Sequence, residues 1–309
     1  MKKIVALFLF SLLAFGLAQA AKLTQLEQNT RMQIFLFQEN FSPGKIDGTK
    51  GKFTEQALKY YQMAHPQDMD AIDKSLEQIS PIFITYTIRK EDKDYIGKVP
   101  KKRSEQAKNK YMPYSSFAEF IAERFHTDLV FLKKLNPKKN LNKLQVGDEL
   151  IVPNVAPFMI EDISEKKLSK QSKFSKRSIK INTKGRMLLL YEGDKLLAVF
   201  PITPGSSSLP APQGTWKIES ITYLPWFRYD EKMLQEGTRG TKYYNIPPGP
   251  GSPVGVVWIA LNKRGIGIHG TDKPETIGRS ESHGCIRLSN WDAVTLSKMI
   301  TKNIKVQID

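Results

Sequence analysis

From residue 177 onward the chain is cut into short apolar runs by glycine and proline, and that pattern restricts what this half can become. Residues 178–182 alternate apolar and polar, which is the period of a half-buried strand. Residues 187–191 follow a glycine turn, 192–195 have hairpin-turn chemistry around Gly193, and 196–202 return. Further strand-like runs stand at 215–218, 256–261, 265–269 and 304–308, between Gly- and Pro-rich loops. Helical periodicity is confined to about 291–300, with Ser289 as N-cap and Asp292 three positions on. The expectation is a β-dominated domain over 177–309 with one late helix.

Two units precede it. In residues 24–68, Leu26, Met32, Ile34, Phe35 and Leu36 predict one helix. Turn residues fill 41–48, and Thr54 is the expected N-cap of a second helix through Ala57, Leu58 and Tyr61. Residues 82–154 read as strand, helix, helix, strand. The run 82–88 is rich in branched and aromatic residues. Ser116 with Glu119 predicts a capping box, Thr127 or Asp128 caps a second helix, and Asn136–Pro137 stops it. A turn and strand at 144–153 close the unit. An insertion at about 89–112 carries the basic runs 98–103 and 108–110 and is expected to be a solvated loop. Residues 161–176, rich in Lys, Ser and Glu, are expected to be a linker.

Residues 1–20 have the three regions of an export signal: Lys2 and Lys3, an apolar stretch from Ile4 to Leu17, and Ala18–Gln19–Ala20 for cleavage. The whole chain carries +16, so removing the two lysines leaves +14 (16 minus 2). A basic exported chain is directed at anionic envelope polymers, not nucleic acid, and no later run is long enough to span a membrane. The expected location is the periplasm or cell wall.

Cys285 is the only cysteine, so no internal disulfide is available, and a thiol in an oxidising compartment needs a reason. It sits in Ser282–His283–Gly284–Cys285–Ile286–Arg287–Leu288, and His269 stands sixteen positions upstream. A cysteine nucleophile acts as thiolate and needs a base to take its proton. His269 and His283 are both candidates. His283 is adjacent in sequence; His269 ends a strand and is returned by the intervening loop. Gly284 allows close backbone approach, and amides around Gly284 and Cys285 suit an oxyanion. Arg287 suits a substrate carboxylate, or a salt bridge to Asp292 or Glu281. The four histidines are scattered; His65 and His126 read as structural or exposed, and no metal or cofactor is expected.

The pattern His269–Gly270–Thr271, a loop, then 282–288 resembles the L,D-transpeptidase (YkuD-like) family. Residues 202–205, 211–216 and 244–255 support the resemblance, with Ala211 where many members have threonine. It implies Cys285 as nucleophile, His269 as general base and acid oriented by the Gly270 carbonyl, His283 and Gly284 in the oxyanion pocket, and Arg287 on substrate. The segment holding Gly44, Asp47, Gly48, Gly51, Thr54, Ala57, Tyr61 and Gln62 resembles a peptidoglycan-binding domain. Residues 82–154 resemble a LysM domain, apart from the insertion. The implied partners are peptidoglycan stem peptides and glycan strands, with a wall-anchored lipoprotein as a further acceptor. The implied reaction is stem-peptide acyl transfer with loss of D-alanine. An L,D-carboxypeptidase and a non-catalytic wall-binding protein stand as alternatives.

Overall fold

The computed structural model describes residues 23–66, 69–164, 172–206, 209–279 and 284–309. The export signal, residues 165–171 of the expected linker, and Ser282 and His283 lie outside the described residues.

Helix α1 (Gln25–Gln38) opens on a capping box between Thr24 and Glu27 and buries Ile34, Phe35 and Leu36. Helix α2 (Lys52–Ala64) packs beside it. The turn between them closes on Gln33. Its Oε1 accepts from the Asp47 and Gly48 N–H groups at 3.1 and 3.0 Å, and its amide donates to Thr54 Oγ1 at 3.2 Å. This corrects the expected cap. Thr54 is buried inside α2, engaged by Gln33, and Gly51 stands at the N-cap. A third helix, α3 (Met69–Gln78), was not anticipated from its mostly polar sequence.

Strand β1 (Phe83–Thr87) pairs antiparallel with β2 (Glu149–Pro153) across α4 (Arg103–Gln106), α5 (Phe117–Arg124) and α6 (Leu129–Leu135). Ser116 Oγ accepts from the Glu119 N–H at 3.2 Å, but the Glu119 carboxylate turns to the Ser115 N–H at 2.8 Å, so only half of the capping box forms. Asp128 caps α6, accepting from the Phe131 N–H at 2.8 Å, while Thr127 Oγ1 donates to the Ile46 carbonyl at 2.6 Å.

The insertion is not the expected solvated loop. It contains α4, and its Met112 is fully buried, donating its N–H to the Pro248 carbonyl at 2.8 Å and accepting from the Gly251 N–H at 3.0 Å. The lysines face outward around an apolar anchor whose docking partner lies 136 residues on (248 minus 112), and a charge count does not reveal it. The head of the expected linker is docked too, because Glu161 pairs with Arg124 at 2.8 Å and Arg89 at 3.2 Å.

The C-terminal half follows as β3 (Arg177–Asn182), β4 (Met187–Glu192), β5 (Lys195–Pro201), β6 (Gly214–Tyr223), β7 (Phe227–Tyr229), α7 (Glu231–Glu236), β8 (Tyr244–Ile246), β9 (Val257–Leu261), β10 (Gly267–His269), β11 (Ile286–Arg287), α8 (Asn290–Lys298) and β12 (Lys305–Ile308). Eight strands form one sheet in the order β11-β10-β9-β6-β12-β3-β4-β5, with β7 and β8 as a separate hairpin. Helix α7 corrects the expectation of a single late helix. Asp230 caps its start and Gly237 ends it in the left-handed region at φ 72°, so a start and a stop signal bracket a helix of only six residues.

The sheet leaves little open edge. Beyond β5, Thr203 exchanges both backbone hydrogen bonds with Arg287 of β11, at 3.0 and 2.9 Å, so the two ends of the sheet meet. The turn after α1 runs along β5 itself: Ser42 N–H donates to the Val199 carbonyl at 2.9 Å and Val199 N–H to the Asn40 carbonyl at 3.0 Å. One apolar core runs through all three segments. The preceding units are therefore packed against the sheet.

Candidate active site

The parallel pairing of β10 with β11 sets the site. The register aligns Ile268 with Ile286 and His269 with Arg287. Partners in register project to the same face, and alternate residues to opposite faces. Ile268 and Ile286 are fully buried in the core. His269 and Arg287 therefore share the other face, and so does Cys285, two positions before Arg287. Two buried isoleucines, each worth about 1.5–3 kcal/mol by burial, hold this register; a one-residue slip would turn the thiol inward.

His269 is 4% exposed and its Nδ1 lies 2.6 Å from the Gly270 carbonyl. A carbonyl oxygen only accepts, so Nδ1 carries the proton and Nε2 is left unprotonated. The ring stacks on Trp258, with centroids 5.2 Å apart and planes at 17°. Burial, reinforced by the nearby Arg287 guanidinium and opposed by the Gly270 carbonyl, brings the imidazole pKa down to about 3. Burial raises the Cys285 thiol, against the Gly267 N–H and Arg287, which lower it. Cys285 is half-buried, and its Sγ is 3.6 Å from the Gly265 carbonyl. At rest the pair is neutral thiol and neutral imidazole. Gly284 adopts φ 91°, in the region that favours glycine.

The three groups open on a cleft of about 770 Å³. Its wall carries Arg103, Arg228, Arg239, Lys263, Arg264 and Arg287 against only Asp230 and Glu231 as carboxylates, so it favours an anionic ligand. Arg287 does not pair with Asp292, one partner the sequence suggested. Asp292 is buried and hydrogen-bonded to Ser42 Oγ at 3.1 Å. Arg103 comes from the insertion of the second unit. It lies 5.0 Å over the Tyr229 ring and is steadied by Gln106 Oε1 at 2.7 Å. Arg103 was expected in a solvated loop, because nothing in a run of lysines marks one arginine as reaching another unit.

Sequence reasoning also missed what stands behind His269. The first residue of α8, Asn290, is fully buried, and its Oδ1 accepts from the Val256 N–H at 3.1 Å. A Cβ at Gly270 would meet that oxygen at 2.1 Å, so the loop after β10 lies flush on Asn290. His65 is bonded through Nδ1 to the Tyr61 carbonyl at 3.0 Å, and His126 stacks on Trp291; neither approaches the thiol cleft. Among the described residues no cluster of His, Cys, Asp and Glu could hold a metal, and no helix is long and apolar enough to cross a membrane.

Residues 176–308 match the family model of the YkuD L,D-transpeptidase catalytic domain. Similar proteins include YkuD of Bacillus licheniformis, 29% identical over 191 residues that make up 62% of this chain and 92% of that protein. ErfK/SrfK of Escherichia coli, whose name groups it with the L,D-transpeptidases, is 30% identical over 197 residues, 62% of this chain and 58% of that one. The chain thus spans most of the first relative and little more than half of the second. Among solved structures, an L,D-transpeptidase from Mycobacterium smegmatis is similar at 17% identity over 43% of this chain and 58% of that chain, with a TM-score of 0.36. The catalytic domain of the Enterococcus faecium L,D-transpeptidase is similar at 19% identity over 44% of this chain and 98% of that chain, with a TM-score of 0.35.

Proposed function

We propose that the chain is an exported, cysteine-dependent L,D-transpeptidase acting on peptidoglycan stem peptides. The observation that carries this reading is the common face of Cys285, His269 and Arg287 at the mouth of a cationic cleft. The family match over 176–308 supports it.

In the proposed reaction, Cys285 Sγ attacks the carbonyl that joins the third stem residue to its terminal D-alanine. His269 Nε2 takes the thiol proton as the S–C bond forms, which suits a pair that is neutral at rest. The C–N bond breaks, and the same proton passes to the departing amine. The Nδ1–H bond to Gly270 keeps the ring in one tautomer throughout. Amides beside Gly284, and His283, serve the oxyanion, where one donor is typically worth about 2.7–4 kcal/mol of barrier. Arg287 holds a substrate carboxylate, and Arg103 extends the cationic wall. A second amine then attacks the thioester, giving a 3→3 cross-link or a protein attachment. The two preceding units are proposed to bind peptidoglycan, the first as a peptidoglycan-binding-like domain and the second as a LysM-like domain.

Intact-mass spectrometry of protein incubated with a disaccharide tetrapeptide tests the first half. The expected result is a covalent stem-tripeptide adduct on Cys285 with release of D-alanine, lost in Cys285→Ala. An adduct that survives this substitution refutes the mechanism. Muropeptide analysis then separates the acceptors: cross-linked dimers identify transfer to an amine, tripeptides alone identify an L,D-carboxypeptidase, and unchanged muropeptides identify a non-catalytic wall protein.

A further inference from the structure

His269 is oriented by a carbonyl, and that carbonyl belongs to a loop held from outside the C-terminal sheet. Gly270 rests on the Asn290 side chain so closely that no Cβ fits between them. Gly255 rests on the same oxygen, where a Cβ would come within 2.0 Å. Asn290 has only one rotational orientation that presents its oxygen to the Val256 N–H, and its Nδ2 then points to a single acceptor. That acceptor is Glu123 Oε1, at 2.9 Å. Glu123 is on α5 of the strand–helix–helix–strand unit and is 4% exposed. The Tyr114 hydroxyl also bonds to its carboxyl, and Asp272, two residues past Gly270, is among the charges that act on it.

We propose that Glu123 is a positioning residue for the reaction: by holding the Asn290 amide, it fixes the Gly270 backbone whose carbonyl orients His269. The second unit is then a working part of the catalytic site as well as a wall-binding module. A unit acting only as a tether has no need of a buried carboxyl aimed into the scaffold behind the base. Burying one is costly unless its partners are fixed.

The inference rests on the reading of Cys285 and His269 as nucleophile and base, so its test uses readouts that do not require a peptidoglycan substrate. Three substitutions in the full chain separate bracing from packing. Glu123→Gln keeps the acceptor for Asn290. Glu123→Leu keeps the volume and removes the acceptor. Glu123→Asp keeps the carboxyl but withdraws it by one methylene. The measurements are the imidazole ¹⁵N spectrum of His269, the rate of Cys285 alkylation by iodoacetamide at fixed pH, and kcat and KM on muropeptides. In wild type and Glu123→Gln, His269 is expected as the Nδ1–H tautomer, with Glu123→Gln within about 3-fold of wild type in alkylation and kcat. Glu123→Leu and Glu123→Asp are expected to show mixed tautomers and a fall of about 10- to 100-fold in both rates with KM unchanged, the scale of an ångström-sized misplacement. If Glu123→Leu does not fold, Glu123→Asp decides. A wild-type His269 spectrum and alkylation rate in the folded Leu or Asp variant overturns the proposal, as does a Gln variant as impaired as both. Wild-type protein inert toward muropeptides refutes the transpeptidase reading, while the spectrum and alkylation rates still judge Glu123.

Discussion

Gly270→Ala tests the packing behind His269 most directly. The added Cβ would stand 2.1 Å from Asn290 Oδ1, whereas ordinary contact begins near 3.4 Å, so something must move by about 1.3 Å (3.4 minus 2.1). If Asn290 moves, it gives up the Val256 N–H and Glu123. Buried polar groups left without partners cost roughly 1–3 kcal/mol each, so the two bonds together amount to roughly 2–6 kcal/mol. At about 2–4 °C per kcal/mol for a chain of this size, the melting temperature falls by roughly 4–24 °C. If the Gly270 backbone moves instead, the carbonyl leaves His269 Nδ1, and a displacement of an ångström costs on the order of 10²-fold in rate. Differential scanning fluorimetry reads the first route, and single-turnover thioester formation by intact mass reads the second. Gly51→Ala is the control, because a Cβ there meets nothing within 4 Å; its effect should stay within about 1 kcal/mol. A Gly270→Ala protein that melts with wild type and forms thioester within 2-fold of its rate refutes the account of how His269 is held.

The neutral resting pair predicts that Cys285 alkylation by iodoacetamide climbs through the alkaline range with no plateau at lower pH; a flat rate from about pH 5 to 8 would reveal a thiolate–imidazolium pair instead. Stability should depend on pH with a definite sign. Burial raises the Asp292 and Glu123 carboxyls to about 7 and about 8, so their contribution is complete below the unfolded values and is lost as pH rises through the folded ones. Burial lowers His126 and His269 to about 3, and their contribution is lost as pH falls below the unfolded value of about 6.5. The two pairs offset each other between about pH 4.5 and 6.5, so the melting temperature should hold there, decline from about pH 6.5 to 8, and flatten in that range in an Asp292→Asn, Glu123→Gln double variant; a decline of the same size in the double variant contradicts this. Arg103→Ala should raise KM for tetrapeptide by about 2- to 5-fold, the range of one partly exposed ionic contact, with an unchanged melting temperature; an unchanged KM removes Arg103 from the cleft's function. A chain cut to 176–309 should aggregate, because the Val199 edge and the face of β5 under α2 lose their cover; a soluble, cooperatively melting fragment contradicts this.

Much of the β-rich half was legible because its signals are local. Alternation marked residues 178–182, turn residues separated 187–191 from 196–202, and Ser289 announced α8, where its Oγ accepts from the Asp292 N–H at 3.2 Å. The alignment of His269 with Arg287 across a parallel pair is not local, and spacing alone left two histidines as candidate bases. The contacts between units were the least visible. Thr54 has the chemistry of a cap, yet Gln33, twenty-one residues earlier, claims its hydroxyl. Asn290 reads as a helix start, with nothing nearby to indicate a partner at Glu123. Lysines around Met112 conceal an anchor because charge describes the rim of an interface and not its buried centre.

The place of β12 has a consequence for how the site comes into being. This strand pairs parallel with β3 and antiparallel with β6, so it joins the β11-β10-β9-β6 half of the sheet to the β3-β4-β5 half at their inner edges, as the Thr203–Arg287 bridge does at their outer ones. It spans residues 305–308, beyond every other strand in chain order. The closed form of the sheet needs those residues between its two halves. Contacts between such distant parts of a chain are slow to form, because the loop must close before any pairing rewards it. Thr203 can meet Arg287 only when both halves are in place. Cys285 thus stands beside a seam that closes only when β12 has docked between the two halves.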